Sequence, residues 1–305
     1  MNNQPFVDIV FIINPLRKLP NQIRQFLSAM NKNIILENSQ VWYTNYANHA
    51  FELALKACNE QYGLIVAIGG DGTFNEIVNG MITSKNAKTV LALIPNGTGN
   101  DFCRGQNIKF TIQKFTRALE KQSLRTIDIG MITNETHKKY FLNIADIGFG
   151  GCTVQLLKKQ RDIGLKGGLS YALAIFRTFF NFKKPVVKII VDDSHLYTGD
   201  LMMLAVCNGD TFGNGLVIHP GAKPDDGLLS LTLLGKVTLW DYVSNIFRLK
   251  KGLHIRHPNI SYFTAKKIKL VVLNGEAFIE TDGESAFDGD VEMTILPNKL
   301  TLLNY

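Results

Sequence analysis

Leu64-Ile-Val-Ala-Ile-Gly-Gly-Asp-Gly-Thr-Phe-Asn-Glu-Ile-Val-Asn-Gly80 is the stretch that decides the fold. Its first five residues, Leu64 to Ile68, form a short apolar run rich in Ile and Val, the pattern of a strand buried on both faces. Gly69, Gly70, Asp71 and Gly72 follow. Beyond them Phe74, Ile77, Val78 and Met81 recur at i, i+3, i+4 and i+7, one face of a helix, with Gly80 in its final turn. Strand, glycine turn and helix in that order present backbone N–H groups at a helix N-terminus to an anion. The stretch is read as a phosphate cradle. The competing reading is a tight β-to-α turn in which Gly supplies positive φ and Asp or Thr caps the helix. There is no Gly-Lys-Ser/Thr of a Walker loop and no Gly-x-Gly-x-x-Gly of a dinucleotide site. Asp71 sets a negative charge beside the expected phosphates, which calls for Mg²⁺ between them or a ligand other than phosphate.

Working outward, Phe6 to Ile13 reads as a strand ending at the turn signal Asn14-Pro15, and Ile23 to Met30 as a helix. Val41 to Thr44 is a short strand, and Ala47 to Tyr62 a helix stopped by Gly63. On the other side, Thr89 to Ile94 is a further apolar strand that runs into a second glycine loop, Pro95-Asn-Gly-Thr-Gly-Asn-Asp101. Alternating strand and helix predict a parallel sheet covered by helices, with ligands outside the carboxyl ends of the strands, where both loops fall. After about residue 124 the rhythm changes. Strands are expected at Leu124 to Ile129, Tyr140 to Ile147, Val186 to Val191, Leu201 to Cys207, Leu228 to Leu233, Ile268 to Leu273, Phe278 to Thr281, Glu292 to Leu296 and Leu300 to Leu303. Two helical patterns interrupt them, near 167 to 181 and 238 to 250. Asp225-Asp-Gly227, Asn274-Gly275, Asp282-Gly283 and Pro297-Asn298 read as turns. The fold class is an α/β N-terminal domain over 1–125 and a mainly antiparallel, β-sandwich-like C-terminal domain over 126–295, meeting at an active cleft.

The chain has 305 residues, 46% hydrophobic and 19% charged, an ordinary globular composition. Its net charge of +7 suits nucleic acid, an anionic membrane surface or a phosphorylated substrate. Lys158, Lys159, Arg161 and Lys166 form one basic cluster, and Arg248, Lys250, Lys251, His254 and Arg256 another. The sequence carries neither a recognition-helix nor an aromatic RNA-binding signature, which argues against nucleic acid. Four dispersed cysteines, Cys58, Cys103, Cys152 and Cys207, give no zinc or disulfide spacing and suit a reducing cytoplasm. Met1 to Pro5 lacks signal-peptide features, and the apolar segment Leu169 to Phe182 is too short to span a bilayer.

Gly69-Gly-Asp-Gly-Thr73 followed by Asn75-Glu76, then Pro95-x-Gly-Thr-x-Asn-Asp101 with Arg104, resembles the diacylglycerol kinase catalytic family. That group includes bacterial lipid kinases related to sphingosine and ceramide kinases. The likeness continues, in order, through Asn143 to Gly150, Asn208-Gly209, Asp225-Asp-Gly-Leu228 and Asp282-Gly-Glu284, and so covers nearly the whole chain. The resemblance implies an NAD-kinase-like first domain, a β-sandwich-like second domain, and final residues, roughly the last ten, that pack back on the first.

It further implies ATP and Mg²⁺ as cofactors, with the nucleotide held by Gly69, Gly70, Asp71, Gly72, Thr73, Phe74, Asn75 and Glu76, by Gly97, Thr98, Asn100 and Asp101, and by Thr44. Thr44 precedes Ala47-Asn-His-Ala50, where Asn48 stands in the place at which relatives often carry Gly. Phosphoryl transfer needs its developing charge stabilised, and the attacking hydroxyl needs a carboxylate to accept its proton. The resemblance gives that role to Glu284, with Asp282 as second candidate and Asp71 as a further catalytic residue. A type I′ hairpin turn explains Asp282-Gly283 equally well. In bacterial relatives a structural Mg²⁺ is held by the block matching Asp225 to Leu228, which carries over as the Asp226 carboxylate with the carbonyls of Lys223 and Leu228. The expected activity is transfer of the γ-phosphate to a lipid hydroxyl, diacylglycerol foremost. A sphingoid or other lipid kinase and an NAD-kinase-like activity are the alternatives. The Pro95 to Asp101 block and Arg104 favour the lipid kinase. The expected partners are a diacylglycerol-like lipid and, peripherally, an anionic membrane reached from the cytoplasm, with a homodimer among the open assemblies.

Overall fold

The computed structural model describes residues 6, 8–30, 36, 39–85, 88–162, 164 and 168–305, without the side chains of residues 161, 162, 169 and 171. Met1 to Pro5, Val7 in the first expected strand and Lys166 in the first basic cluster lie outside the described residues. The chain forms two compact units. One runs through Ile129 and takes in Pro297–Tyr305, and the other is Gly130–Leu296.

Unit 1 contains β1 (Ile9–Ile13), α1 (Asn21–Ala29), β2 (Gln40–Tyr43), α2 (His49–Asn59), β3 (Leu64–Gly69), α3 (Asp71–Thr83), β4 (Val90–Pro95), α4 (Asp101–Gly105) and α5 (Ile112–Lys121), and β5 (Leu124–Thr133) starts in it. The chain then gives β6 (Lys138–Phe141), β7 (Ile144–Gly148), α6 (Phe149–Asp162), α7 (Gly168–Asn181), β8 (Val186–Val191), β9 (Ser194–Asp200), β10 (Met203–Cys207), β11 (Thr211–Phe212), β12 (Leu216–Val217), β13 (Leu229–Leu234), α8 (Leu239–Lys250), β14 (Ile260–Ala265), β15 (Lys267–Asn274), β16 (Phe278–Thr281), β17 (Glu284–Asp288) and β18 (Val291–Leu303).

The strands of unit 1 lie in the order β2-β1-β3-β4-β18, and each of these pairs is parallel. Every residue of β1 and β3 is buried, because helices cover both faces of a parallel sheet. That explains the unbroken apolar runs. The expected face of α3, Phe74, Ile77, Val78 and Met81, is buried throughout. α5 was not among the expected helices, although Thr111 followed by Ile112, Phe115 and Leu119 has helical spacing. Thr111 starts it by accepting the N–H of Lys114, and Phe115, Ala118 and Leu119 are buried. Phe115 packs on Tyr305 with ring centroids 5.2 Å apart, and the Tyr305 hydroxyl donates to the carbonyl of Leu93.

In unit 2, β14-β13-β10-β7-β16-β17 form one antiparallel sheet, and β15 pairs antiparallel with both β18 and β8. Alternate residues of these strands face two cores: Ala145, Ile147, Leu204 and Val206 enter one, and Ile144, Met203, Ala205 and Cys207 the other. Where two helices were expected, three are present among the described residues. The additional one, α6, begins at Phe149-Gly-Gly151. A Cβ on Gly151 would stand 2.4 Å from the Phe278 carbonyl oxygen, so the helix start approaches β16 where only glycine fits. Pro297-Asn298 is also no turn between two strands. β18 runs through it, with Asn298 at φ +51 donating its N–H to Asp128 at 2.7 Å. A tertiary partner for that one N–H carries the strand past the proline. Among the described residues no helix is long and apolar enough to cross a membrane.

Candidate functional site

The two glycine loops of unit 1 meet. β3 and β4 end in register, Gly69 opposite Pro95, so their following loops emerge side by side. A Cβ on Gly97 would stand 2.5 Å from the Cα of Gly70, and one on Gly70 would stand 3.0 Å from the Cα of Gly97. Backbone therefore lies against backbone, and any side chain at either position would push the loops apart. Asn100 closes its own loop, accepting the Gly97 N–H at 2.8 Å and donating to the Gly97 carbonyl at 3.0 Å. It sits at φ 51, left-handed backbone that Asn tolerates better than most residues. Gly70 is the N-cap of α3 and supplies no side-chain cap, so the first turn of α3 aims its backbone N–H groups out of the helix end. Asp71 and Asp101 converge: one oxygen of each would lie 2.9 and 3.2 Å from a Cβ on Gly99. Backbone donors beside two carboxylates can hold a phosphate and a divalent cation together, since the cation screens the acids from the phosphate.

Two residues join this site that the motifs did not single out. The Arg17 guanidinium donates to the Gly97 carbonyl at 3.3 Å and to the Thr98 hydroxyl, and the Asn14 amide donates to the Thr73 hydroxyl at 3.0 Å. Both follow β1, the parallel neighbour of β3, and the Asn14-Pro15 turn was the one local signal of that bend. Arg104 donates to the Gly99 carbonyl at 3.1 Å, bringing a second guanidinium to the same loop.

Three of the expected nucleotide contacts have partners within unit 1. Phe74 is fully buried and its N–H bonds the Gly70 carbonyl, so its side chain packs α3. Asn75 is buried on α3, where Asn79 donates to it. Glu76 turns toward α2, accepting the N–H groups of Asn48 and Ala50 at 2.9 and 3.1 Å. A carboxylate at a helix start is favourable there, and the bond fixes the loop that follows β2. Asn48 has φ 68, which explains why a position that favours Gly accepts Asn. Thr44 is buried at the end of β2, its N–H bonded to the Ile13 carbonyl.

In unit 2, Asp282 and Gly283 have φ of 52 and 84 between paired Thr281 and Glu284, the backbone of a type I′ hairpin. The Asp282 carboxylate accepts three backbone N–H groups, from Leu142 at 2.8 Å, Asn143 at 2.9 Å and Ile144 at 3.0 Å. Both its oxygens are thereby engaged, so Asp282 pins the hairpin to the start of β7. Asn143 passes the brace on, its carbonyl accepting the N–H groups of Asn208 and Gly209. Glu284 opens β17 with its side chain exposed.

Behind the hairpin lies an acid pair that the motifs left unassigned. Asp146 on β7 is the cross-strand partner of Glu280 on β16, and both are buried. Burial raises the Asp146 carboxyl from 3.8 to about 7, although the N–H groups of Gly150 and Gly151 oppose the rise. Burial, reinforced by Asp146, lifts Glu280 well above the usual carboxylate range. Glu280 accepts the Gly283 N–H at 2.6 Å. Sequence periodicity cannot reveal this pair, because Asp146 sits inside the apolar run of a buried strand.

Asp226, Lys223 and Leu228 fall in the turn before β13. Asp226 is exposed and accepts the Leu228 N–H at 3.0 Å, an Asx turn. Among the described residues no three His, Cys, Asp or Glu side chains gather at a metal-binding distance. An ion at this turn would rest on one carboxylate and backbone carbonyls, a hard-oxygen set that suits Mg²⁺.

Residues 8–132 match the model of the diacylglycerol kinase catalytic domain, and residues 150–304 match the YegS C-terminal NAD kinase beta sandwich-like domain. The chain is 31% identical over 245 residues to a diacylglycerol kinase of Bacillus subtilis (strain 168), an alignment covering 79% of this chain and 77% of that relative. A crystal structure of a diacylglycerol kinase from Bacillus anthracis str. Sterne superimposes with a TM-score of 0.71 at 20% identity, covering 99% of this chain and 98% of the other. An NAD kinase from Archaeoglobus fulgidus in complex with ATP gives a TM-score of 0.55 at 13% identity, covering 98% and 94%. The expected architecture, an NAD-kinase-like α/β domain followed by an antiparallel β domain, is the one these structures share with the chain.

Proposed function

The chain belongs to the diacylglycerol kinase catalytic-domain family, and on that premise we propose that it transfers the γ-phosphate of ATP to a lipid hydroxyl, with diacylglycerol as acceptor and phosphatidic acid as product. The observation that carries the reading is the abutment of Gly70 and Gly97, which sets the N-terminus of α3 beside the convergent Asp71 and Asp101 carboxylates. In this reading the N–H groups at the start of α3 bind the phosphates. Asp71 and Asp101 would hold a Mg²⁺, which when bound would neutralise charge on the phosphates. Arg17 and Arg104 shape the second loop and add positive charge beside it. Glu284 accepts the proton of the attacking hydroxyl, and Asp282 is its anchor rather than an alternative base, because three N–H bonds hold its charge in place. The lipid acceptor lies in a bilayer, so the chain meets that surface peripherally.

The test is transfer from labelled ATP to a panel of diacylglycerol, sphingoid bases, other lipid alcohols and NAD, separated by thin-layer chromatography. Labelled phosphatidic acid is the expected product. Labelling of NAD alone would replace this reading by a small-molecule kinase.

A further inference from the structure

Two helices of unit 2 bury one face and leave an apolar face outward. On α8, Leu249 is buried, and Tyr242 and Ile246 pack with it on the core beneath. The outward face carries Trp240, Val243 and Phe247, 76%, 48% and 74% exposed, at i, i+3 and i+7. On α7, Ala174 and Thr178 are buried and Phe179 packs on Phe149 at 4.4 Å. Phe176 and Phe180 point the other way, 52% and 69% exposed, with their rings 4.8 Å apart. Phe179 and Tyr242 lie 5.9 Å apart, so the two helices are neighbours. A single exposed aromatic needs no explanation. Four on adjacent helices, none used by the core, mark a surface that meets something apolar.

The charge around this face selects the partner. Arg177 on α7, Lys183 beyond it, and Arg248, Lys250 and Lys251 at the end of α8 are all exposed. The acid in these two helices, Asp241, is engaged by Thr238 in a capping box and faces His257 at 3.7 Å. A second copy meeting this face about a two-fold axis would set these basic groups against themselves, which a closed interface disfavours. Aromatic side chains bordered by Arg and Lys match the boundary between anionic headgroups and acyl chains.

We propose that the outer faces of α7 and α8 form a docking surface for an anionic lipid bilayer, with Phe176, Phe180, Trp240, Val243 and Phe247 entering the acyl boundary and the flanking Arg and Lys side chains meeting the headgroup phosphates. The proposal deepens the lipid-kinase reading by naming the face that meets the acceptor's membrane.

The test is flotation of the full chain, without ATP, on phosphatidylcholine vesicles with and without phosphatidylglycerol across a salt series. Binding to the anionic vesicles that weakens with salt is expected. In a Trp42→Phe background, the emission of Trp240 shifts blue on those vesicles. A Trp240→Ser/Phe247→Ser double variant loses about tenfold or more in vesicle binding, keeps its melting temperature, and still phosphorylates a water-dispersed short-chain diacylglycerol. Equal flotation of the double variant and the parent overturns the proposal, as does no flotation of the parent. Loss of a dimer in light scattering on the same substitutions would assign the face to a second copy. Absence of any lipid phosphorylation would instead defeat the kinase reading and leave the flotation result standing.

Discussion

Replacing Asp146 by Asn is expected to make unit 2 more stable at neutral and alkaline pH and to flatten its pH dependence. The native carboxyl is raised from 3.8 to about 7, chiefly by burial. Below the unfolded value both states hold the proton, and the native state suffers no penalty. Between the two values the native state keeps a proton that the unfolded chain releases, so stability falls as pH rises through about 7 and then levels. At 1.36 kcal/mol per pH unit the full effect is about 4 kcal/mol, more than half of it lost between about pH 5 and about pH 8. The Asn side chain keeps the volume and carries no charge to bury. It also relieves Glu280, whose own raised value has the same sign and leaves a residual slope. The assay is denaturant unfolding at several pH values in a Trp42→Phe background. The chain has two Trp residues, so Trp240 then reports unit 2 alone. Parallel curves for parent and variant across pH would refute the reasoning, as would a variant less stable by the same amount everywhere.

Gly97→Ala should weaken ATP binding by at least about tenfold in calorimetry, because the added Cβ meets the backbone of Gly70 at 2.5 Å; unchanged affinity would separate the loops from the nucleotide. Glu284→Gln should lower kcat by about a hundredfold or more with circular dichroism unchanged, since an exposed hairpin residue supports no core. Near-normal turnover would remove Glu284 as the base. Asp282→Asn should lower thermal stability as well as activity, because one of the three N–H bonds would face an amide donor; an unaltered melting temperature would contradict the anchoring role. Asp226→Ala should abolish any rise in melting temperature produced by Mg²⁺ in the absence of ATP, and a parent chain indifferent to chelation would remove that ion site.

The sequence by itself determined the elements whose information is local. Leu64 to Ile68 and Thr89 to Ile94 are apolar without interruption, and burial on both faces of a parallel sheet is what such runs require. Gly69 to Gly72, Pro95 to Asp101 and Asp282-Gly283 were legible because their backbone demands restrict the residues that fit. Tertiary structure decided what depends on distant partners. Glu76 lies in a nucleotide-loop motif, yet the free N–H groups of Asn48 and Ala50 claim it. Asp282 stands beside the candidate base, but a strand about 140 residues away fixes its charge. Pro297-Asn298 carries every local sign of a turn, and pairing with β5, with Asn298 bonded to Asp128, lets β18 run on. Phe176 and Phe179 look alike in the sequence of α7; only the packing of Phe149 and Tyr242 partly covers Phe179 and leaves Phe176 in solvent. Periodicity reports that a residue is apolar and on which turn it lies, whereas the neighbour that covers it is set by the rest of the chain.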